Sequence, residues 1–252
     1  MKKLTNYENS YFPELVAICR AQFGEEKGDK IYDAAELRLD TLLAEMDCRG
    51  NKAVEKHMRK NMLPILAYYM TLRNVEGMSK TEAKENVLLI TQRHALSEMK
   101  RYAKIGHMPL GYQLFRLFAK LVMNRSYPKA GWDVKWPASG KREVWFNMHS
   151  CIYWETMQKY HCPELCSVFC ANDPTAFRGL QPNIDFVRNG TLAQGRKYCD
   201  FHFVKNSSAR VLMKNGDLRM KPKKKLPATR IASPRPNFLK KPRKELSMSW
   251  TA

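Results

Sequence analysis

Five of the seven cysteines of this chain lie within about fifty residues of one another, between Cys151 and Cys199. A cysteine thiol can act as a nucleophile, a metal ligand or a small buried hydrophobic group, depending on its surroundings. The same segment also contains an imidazole, two carboxylates and a guanidinium: His161, Asp173, Asp200 and Arg188. Thiols that share a short segment with acids, bases and a cation predict a reactive site rather than packing alone.

Metal binding is the first alternative use of these thiols. Cys162, Cys166 and Cys170 follow one another at four-residue intervals, which places them along one face of a helix. Zinc sites usually pair ligands roughly two to four residues apart and need a second pair elsewhere. No Cys-x-x-Cys occurs in the sequence, and iron–sulfur clusters use tighter spacings than this. We therefore expect no metal and no cofactor, with a metal site completed by Cys151, Cys199, His161 or His202 as the open alternative.

The cysteines differ in what their neighbours favour. For Cys151 and Cys166 we favour simple burial, because free cysteine is among the most buried residue types. Cys170 and Cys199 each have an aspartate close by in sequence, at Asp173 and Asp200, which favours a role in chemistry. Adjacent residues of a strand point to opposite faces of a sheet. Cys199 and Asp200 should therefore not enter the same pocket unless the strand bulges or ends there.

Two further candidates depend on local structure. Cys162 precedes Pro163 at a predicted helix start, where the helix dipole favours a thiolate. His161 beside it could serve as a base, or it could be a surface or capping residue. Arg188 shares strand parity with Ile184, so it is predicted to point inward, where it needs an anionic partner. That partner could be an aspartate in a structural salt bridge or the carboxylate of a substrate.

The elements that position these residues change type near residue 126. Apolar residues at three- and four-residue spacing predict helices up to that point, at Phe12–Phe23, Lys30–Met46, Glu55–Leu72 with a bend at Pro64, Ser79–Lys104 and Leu110–Met123. After it, alternation predicts a hairpin from Trp132 to Met148 with its turn at Pro137–Gly140, and strands at Ile184–Arg188 and Tyr198–Val204. Helices are predicted between them at Ser150–Tyr160 and from Pro163 to Ala171. The prediction is an α+β fold in which residues 1–125 form a helical layer packed as one domain with a Cys-rich α+β region, residues 126–206.

The net charge of +20 is unevenly distributed. Residues 205–252 carry a net charge of +12, and the other 204 residues carry +8. The C-terminal residues 207–252 combine lysine and arginine runs with prolines, so we predict a disordered basic tail. Nucleic acid is a possible partner only through this tail, which has few aromatic residues for base stacking. No apolar run is long enough for a membrane helix and the first residues do not resemble a secretory signal, so we expect no membrane partner and a cytoplasmic location.

Segment 143–203 resembles the L-2-amino-thiazoline-4-carboxylic acid hydrolase family. The resemblance is carried by the strand that leads into Cys151, by the Cys–Pro–Glu turn with its downstream Cys and Asp, and by the close of the segment. These motifs comprise Phe146–Cys151, then Cys162, Pro163, Glu164, Cys170 and Asp173, and finally Arg188, Thr191, Gly195, Cys199, Asp200, Phe201 and Phe203. His202 stands where arginine is common in the family, and the basic tail is not part of its pattern.

The resemblance implies a hydrolase that opens a small cyclic substrate at a carbon–nitrogen or carbon–sulfur bond. Either Cys170 or Cys199 would attack the ring, or Asp173 or Asp200 would activate water, and His161 would be a further acid or base. Arg188, Cys162 and Thr191 would bind the substrate. A non-catalytic domain that senses a small ligand or metal through the same pocket is the second hypothesis, and nucleic-acid binding through the tail is the third.

Overall fold

The first half of the chain is helical in the computed structural model, which describes residues 4–206. Its helices are α1 (Leu15–Phe23), α2 (Glu25–Ala44), α3 (Lys52–His57), α4 (Leu63–Asn74), α5 (Lys80–Gly106) and α6 (Gly111–Ser126). Each predicted helix of this half is present. Helix α2 begins five residues earlier than predicted, immediately after Gly24, whose φ of 85° separates it from α1.

The predicted bend at Pro64 takes the form of a π-helical turn, Met58–Met62, between α3 and α4. Proline has no backbone N–H, so Pro64 cannot bond to the carbonyl four residues before it, at Lys60. The backbone N–H of Tyr11 donates to that carbonyl instead, at 2.9 Å. The freed acceptor thus ties the N-terminal segment to this helix pair.

Helix α5 begins where its sequence signal predicts. The Ser79 hydroxyl accepts from the Glu82 backbone N–H at 3.2 Å, and the Glu82 carboxylate accepts from the Ser79 N–H at 2.8 Å. This reciprocal capping box satisfies two donors that a helix start otherwise leaves unpaired. The helix runs to Gly106, two residues beyond the predicted end.

The second half of the described chain forms a four-stranded antiparallel sheet. Its strands are β1 (Trp132–Ser139), β2 (Glu143–Cys151), β3 (Ile184–Val187) and β4 (Cys199–Lys205), in the order β1-β2-β4-β3. Phe146 pairs with Phe201 and Met148 with Cys199. The α+β fold class predicted from the sequence is confirmed.

The predicted hairpin turn is wrong by three residues. Strand β1 continues through Pro137 to Ser139, and the turn follows at Gly140, whose N–H donates to the Glu143 carbonyl at 2.8 Å. Pro137 is tolerated because β1 is an edge strand and its pairing with β2 is irregular between Lys135 and Ala138.

Two helices lie between β2 and β3: α7 (Ile152–Lys159) and α8 (Cys166–Phe177), the second preceded by a 3₁₀ turn at Pro163–Leu165. Helix α8 extends six residues past its predicted end and includes Pro174. It packs against α5, and the Gln92 side-chain amide donates to the Asn172 side chain at 3.0 Å. Just beyond α8 the chain passes close to α5, so a Cβ at Gly179 would lie 2.1 Å from the Met99 carbonyl oxygen.

One core of buried apolar side chains connects the helices and the sheet, and all described residues belong to one compact unit. Within residues 4–206, no helix combines the length and hydropathy needed for a membrane span. The predicted tail, residues 207–252, lies outside the described residues, and so does any nucleic-acid binding through it.

Candidate active site

A cavity of about 1000 Å³ lies between helices α5, α6 and α8 and the face of the sheet formed by β2 and β4. Its size is at the upper end of the range for small-molecule sites. Cys170, Asp173, Arg188 and Cys199 all line it. These residues lie on α8, at the end of β3 and on β4, so the tertiary structure brings together groups that are up to twenty-nine positions apart in the sequence.

Arg188 and Asp173 form an ion pair at the edge of this cavity. The Arg188 Nη1 donates to Asp173 Oδ2 at 2.7 Å, and the two side chains are 9% and 32% exposed. The guanidinium carbon of Arg188 also lies 4.0 Å from the centre of the Phe201 ring. Burial raises the pKa of Asp173, and the positive charge of Arg188 opposes that rise. Burial alone would lower the pKa of Arg188, but the attraction of Asp173 outweighs it and raises the pKa.

One nitrogen of the Arg188 guanidinium is unpaired. Nε donates to the Asp200 carbonyl at 3.1 Å and Nη1 also reaches the Cys170 carbonyl at 3.3 Å. Nη2, in contrast, is buried and has no hydrogen-bond partner among the described residues. An unsatisfied buried donor costs about 1–3 kcal/mol, so it favours any acceptor that could reach it.

Asp200 holds the segment after Arg188 and does not line the cavity. Its carboxylate accepts from the Gly190 N–H at 2.8 Å, and from the backbone and side-chain amides of Asn189 at 2.8 and 3.0 Å. The alternation of β4 explains this arrangement, because Cys199 faces the cavity and Asp200 faces away from it. Asp200 is therefore placed to position Arg188 rather than to meet a substrate.

Three thiols meet inside the cavity. Cys166, Cys170 and Cys199 all line it, and the thiol of Cys170 interacts with those of Cys166 and Cys199. The Leu192 N–H also donates to the Cys199 sulfur at 3.2 Å. Cys151 lines the same cavity, so both cysteines that sequence reasoning assigned to packing border the site as well.

These contacts raise the pKa of the two thiols predicted to be reactive. Interaction with the Cys166 thiol, together with burial, raises the pKa of Cys170. Interaction with the Cys170 thiol, together with burial, raises the pKa of Cys199. Burial also raises the pKa of Cys151, to about 11. Since the thiolate is the nucleophilic form, this environment disfavours attack by cysteine.

The other predicted site residues lie away from the cavity. His161 is exposed and has a φ of 56°. Cys162 is buried against Met157, with 3.9 Å between the sulfurs, and burial raises its pKa to about 12. Burial thus opposes the thiolate that the helix start predicts for Cys162. Thr191 is buried in the loop before β4, where its hydroxyl donates to the Gln194 side chain at 3.3 Å.

A polar network at another part of the cavity wall was missed by sequence reasoning. His57 Nε2 lies 2.9 Å from the Ser126 carbonyl and must donate to it, so Nδ1 accepts from the Tyr153 hydroxyl at 3.0 Å. The Asn61 side-chain amide donates to the same hydroxyl at 3.0 Å. The π-helical turn orients Asn61 toward this site, and π-helical turns are frequent at functional sites. The proline at position 64 was the sequence signal that could have indicated it.

The acid stability of the protein should report on this network. Burial lowers the pKa of His57, so near and below pH 6.5 the unfolded chain binds more protons at this position than the folded protein. The free energy of unfolding should therefore fall as the pH drops below about 6.5, by at most about 1.4 kcal/mol per pH unit for this histidine. His57→Gln is expected to reduce that slope in urea titrations performed between about pH 7 and pH 5.

His161→Asn is the matched control, because His161 is exposed and Asn is favoured at a positive φ. Its slope should equal that of the parent protein. His94, which stacks on Tyr11 and whose pKa is also lowered by burial, should account for part of the remaining slope. Equal slopes for the parent protein and His57→Gln would contradict the assignment of a neutral, buried His57.

Comparison with known proteins identifies one matching family. The family profile for L-2-amino-thiazoline-4-carboxylic acid hydrolase matches residues 51–203. The chain belongs to this family. No curated protein and no solved structure matches it. The matched segment begins at the cap of α3 and ends within β4, and it contains every residue that lines the cavity except Tyr11.

Metal ligands are not grouped in the described part of the chain. Among residues 4–206, no set of three or more His, Cys, Asp or Glu side chains is arranged to hold a metal ion. Cys166, Cys170 and Cys199 line the same cavity as the Asp173–Arg188 ion pair.

Proposed function

We propose that this protein hydrolyses a small cyclic substrate of the 2-amino-thiazoline-4-carboxylate type, and that Asp173 activates the attacking water. The family membership supports the class of reaction. The observation that supports the mechanism is the Asp173 carboxylate, which lines the cavity while bound to Arg188 at 2.7 Å. A carboxylate with this placement can reach a substrate and keep its orientation.

The reaction requires one proton acceptor that later becomes a donor. Water attacks the ring carbon that is bonded to sulfur and two nitrogens, and the electron pair of the ring carbon–nitrogen double bond moves to that nitrogen. Asp173 takes one proton of the water and gives it to the ring nitrogen. The carbon–sulfur bond then breaks as the hydroxyl of the adduct becomes a carbonyl, and Asp173 transfers the hydroxyl proton to the departing sulfur, which leaves an N-carbamoyl cysteine. Because burial raises the pKa of Asp173, its carboxylate is a stronger base than an exposed aspartate.

We propose that Arg188 binds the carboxylate of the substrate. Its Nη2 is a buried donor that lacks a partner among residues 4–206, and guanidinium groups bind carboxylates with strong, directional hydrogen bonds. A substrate carboxylate at this position would bring the ring beside Asp173. Binding would also supply an acceptor for Nη2, which has none among the described residues.

The competing route is covalent, with Cys170 or Cys199 as the nucleophile. It requires a thiolate, and the interactions among the thiols together with their burial raise the pKa of both residues. Nothing in the described residues places an imidazole in hydrogen-bond contact with either sulfur. We therefore favour activated water and assign the thiols to the wall that surrounds the ring.

Serine variants separate the two routes. Under the water mechanism, Cys170→Ser and Cys199→Ser should each retain kcat within about tenfold of the parent protein, because neither removes the base. Hydrolysis of 2-amino-thiazoline-4-carboxylate is measured through release of the product thiol. Cys48→Ser is the matched control, since Cys48 is a free cysteine that does not line the cavity.

A decrease in kcat of more than about a thousandfold in one of these serine variants would contradict the water mechanism. A covalent adduct should then appear in mass spectra of quenched reactions of the proteins that keep that cysteine. If none of the proteins turned over the thiazoline, while the compound still bound to the parent protein, the hydrolase proposal would fail. The hypothesis of a non-catalytic ligand-binding domain would then be favoured.

A further inference from the structure

Helix α6 exposes apolar side chains that have no partner in the described protein. Phe118 is 47% exposed and Val122 is 54% exposed, and both line the rim of the cavity. Leu117 and Leu121, at 68% and 64%, are exposed on the same helix but do not line it. Contiguous exposed apolar surface beside a cavity marks a binding surface more often than chance exposure does. Phe118 and Val122 are therefore placed to contact whatever occupies the cavity.

The cavity is much larger than the ring that its family name implies. A volume of about 1000 Å³ is comparable to that of about thirty water molecules in the liquid. A single five-membered ring with a carboxylate and an amino group fills only a small part of it. The remaining space would stay wet, or it would hold another part of the ligand.

The floor of the cavity connects the reactive groups with α6. Along β4, Cys199, Phe201 and Phe203 face the cavity in turn, over a distance of about 13 Å. The Phe201 ring stacks on Phe146 with 4.8 Å between centroids, and the Phe203 ring lies 4.9 Å from that of Phe115 on α6. The surface between the thiols and the rim is thus aromatic and apolar.

We propose that the natural substrate carries an apolar arm, of about the size of an aromatic ring or longer, on its small carboxylate-bearing ring. This inference rests on the proposed function and specifies its substrate class. The ring lies at Arg188 and Asp173, and the arm lies along Phe201 and Phe203 and ends against Phe118 and Val122. The arm covers the exposed apolar rim and fills the volume that the ring alone leaves empty.

The test compares two ring carboxylates that have no hydrolysable bond and differ only in the arm, proline and N-benzylproline. Calorimetric titration of the full chain should show that N-benzylproline binds about tenfold to a hundredfold more tightly, because a buried ring adds favourable apolar contact. Phe118→Asn should reduce that preference severalfold, and Val122→Trp should reduce it by filling the rim. Leu117→Asn, an adjacent exposed apolar residue that does not line the cavity, should retain the full preference.

Equal affinities for the two compounds, or an equal loss in Phe118→Asn and Leu117→Asn, would overturn the inference. Turnover of 2-amino- and 2-benzylamino-thiazoline-4-carboxylate is measured with the same proteins, which separates this inference from the proposed function. If both thiazolines are hydrolysed but the benzyl group gives no gain, the hydrolase proposal is supported and the apolar arm is contradicted. If N-benzylproline binds selectively but neither thiazoline is hydrolysed, the ligand class is supported and the hydrolase proposal is contradicted.

Discussion

Asp173→Asn is expected to lower kcat for opening of the thiazoline ring by about 10²–10⁴-fold, the usual contribution of a general acid–base group. Asn has the size of Asp and can still accept from Arg188 at the position where the two side chains meet at 2.7 Å. It cannot take a proton from water. Since the substitution leaves the shape of the cavity nearly unchanged, the loss should fall on kcat more than on KM.

The pH profile gives an independent measure of the same role. Asp173 must be ionised to act as a base, and burial raises its pKa above the usual value of 3.8. The acid limb of kcat/KM should therefore lie above pH 3.8, and it should be lost from the residual activity of the variant.

Asp133→Asn is the matched control. It makes the same chemical change at a carboxylate that is 53% exposed on β1 and does not line the cavity. Its kcat should equal that of the parent protein. A kcat for Asp173→Asn within about threefold of the parent value would show that Asp173 is not the base. The covalent route through a cysteine would then be favoured.

Arg188→Gln is expected to decrease the free energy of unfolding by roughly 3 kcal/mol. Removing one partner of a buried ion pair leaves the other charge without compensation. We expect the lower end of the usual range of about 3–5 kcal/mol because Asp173 is still 32% exposed. Urea unfolding at pH 7 measures the change.

Arg49→Gln provides the comparison at an exposed ion pair. Arg49 contacts Glu155 at 2.5 Å, but both side chains are about 40% exposed. Its loss should cost less than about 1 kcal/mol. The double variant Arg188→Gln, Asp173→Asn should be more stable than the sum of the single changes predicts, because it no longer leaves a buried charge unpaired. Equal urea midpoints of unfolding for Arg188→Gln and Arg49→Gln would contradict the assignment of Arg188 and Asp173 as a buried ion pair.

Local signals in the sequence predicted most of the fold. The capping box at Ser79 and the apolar periodicity of α5 depend on residues three or four apart, and so does the helix that carries Cys166 and Cys170. Alternation along β4 likewise predicted that Cys199 and Asp200 face opposite sides of the sheet. The position of the turn after β1 was predicted wrongly because it depends on pairing with another strand.

The candidate site was predictable only in part. Cys170, Asp173, Arg188 and Cys199 were identified because their residue types and spacing indicate chemistry, and all four line the cavity. Cys162 lies outside the cavity, and the burial that raises the pKa of its thiol is not indicated by its position at a helix start. His57, Asn61 and Tyr153 were missed because their hydrogen bonds join positions about ninety residues apart.

The sequence by itself determined which chemical groups are present, which helices and strands carry them, and to which family the chain belongs. Only the tertiary structure decided that the pKa of the cavity thiols is raised, that Asp173 is paired with Arg188, and that the cavity extends to α6. The physical reason is that periodicity, capping and alternation are properties of neighbours along the chain. Desolvation, ion pairing and cavity volume depend on groups that meet only after the helices pack against the sheet.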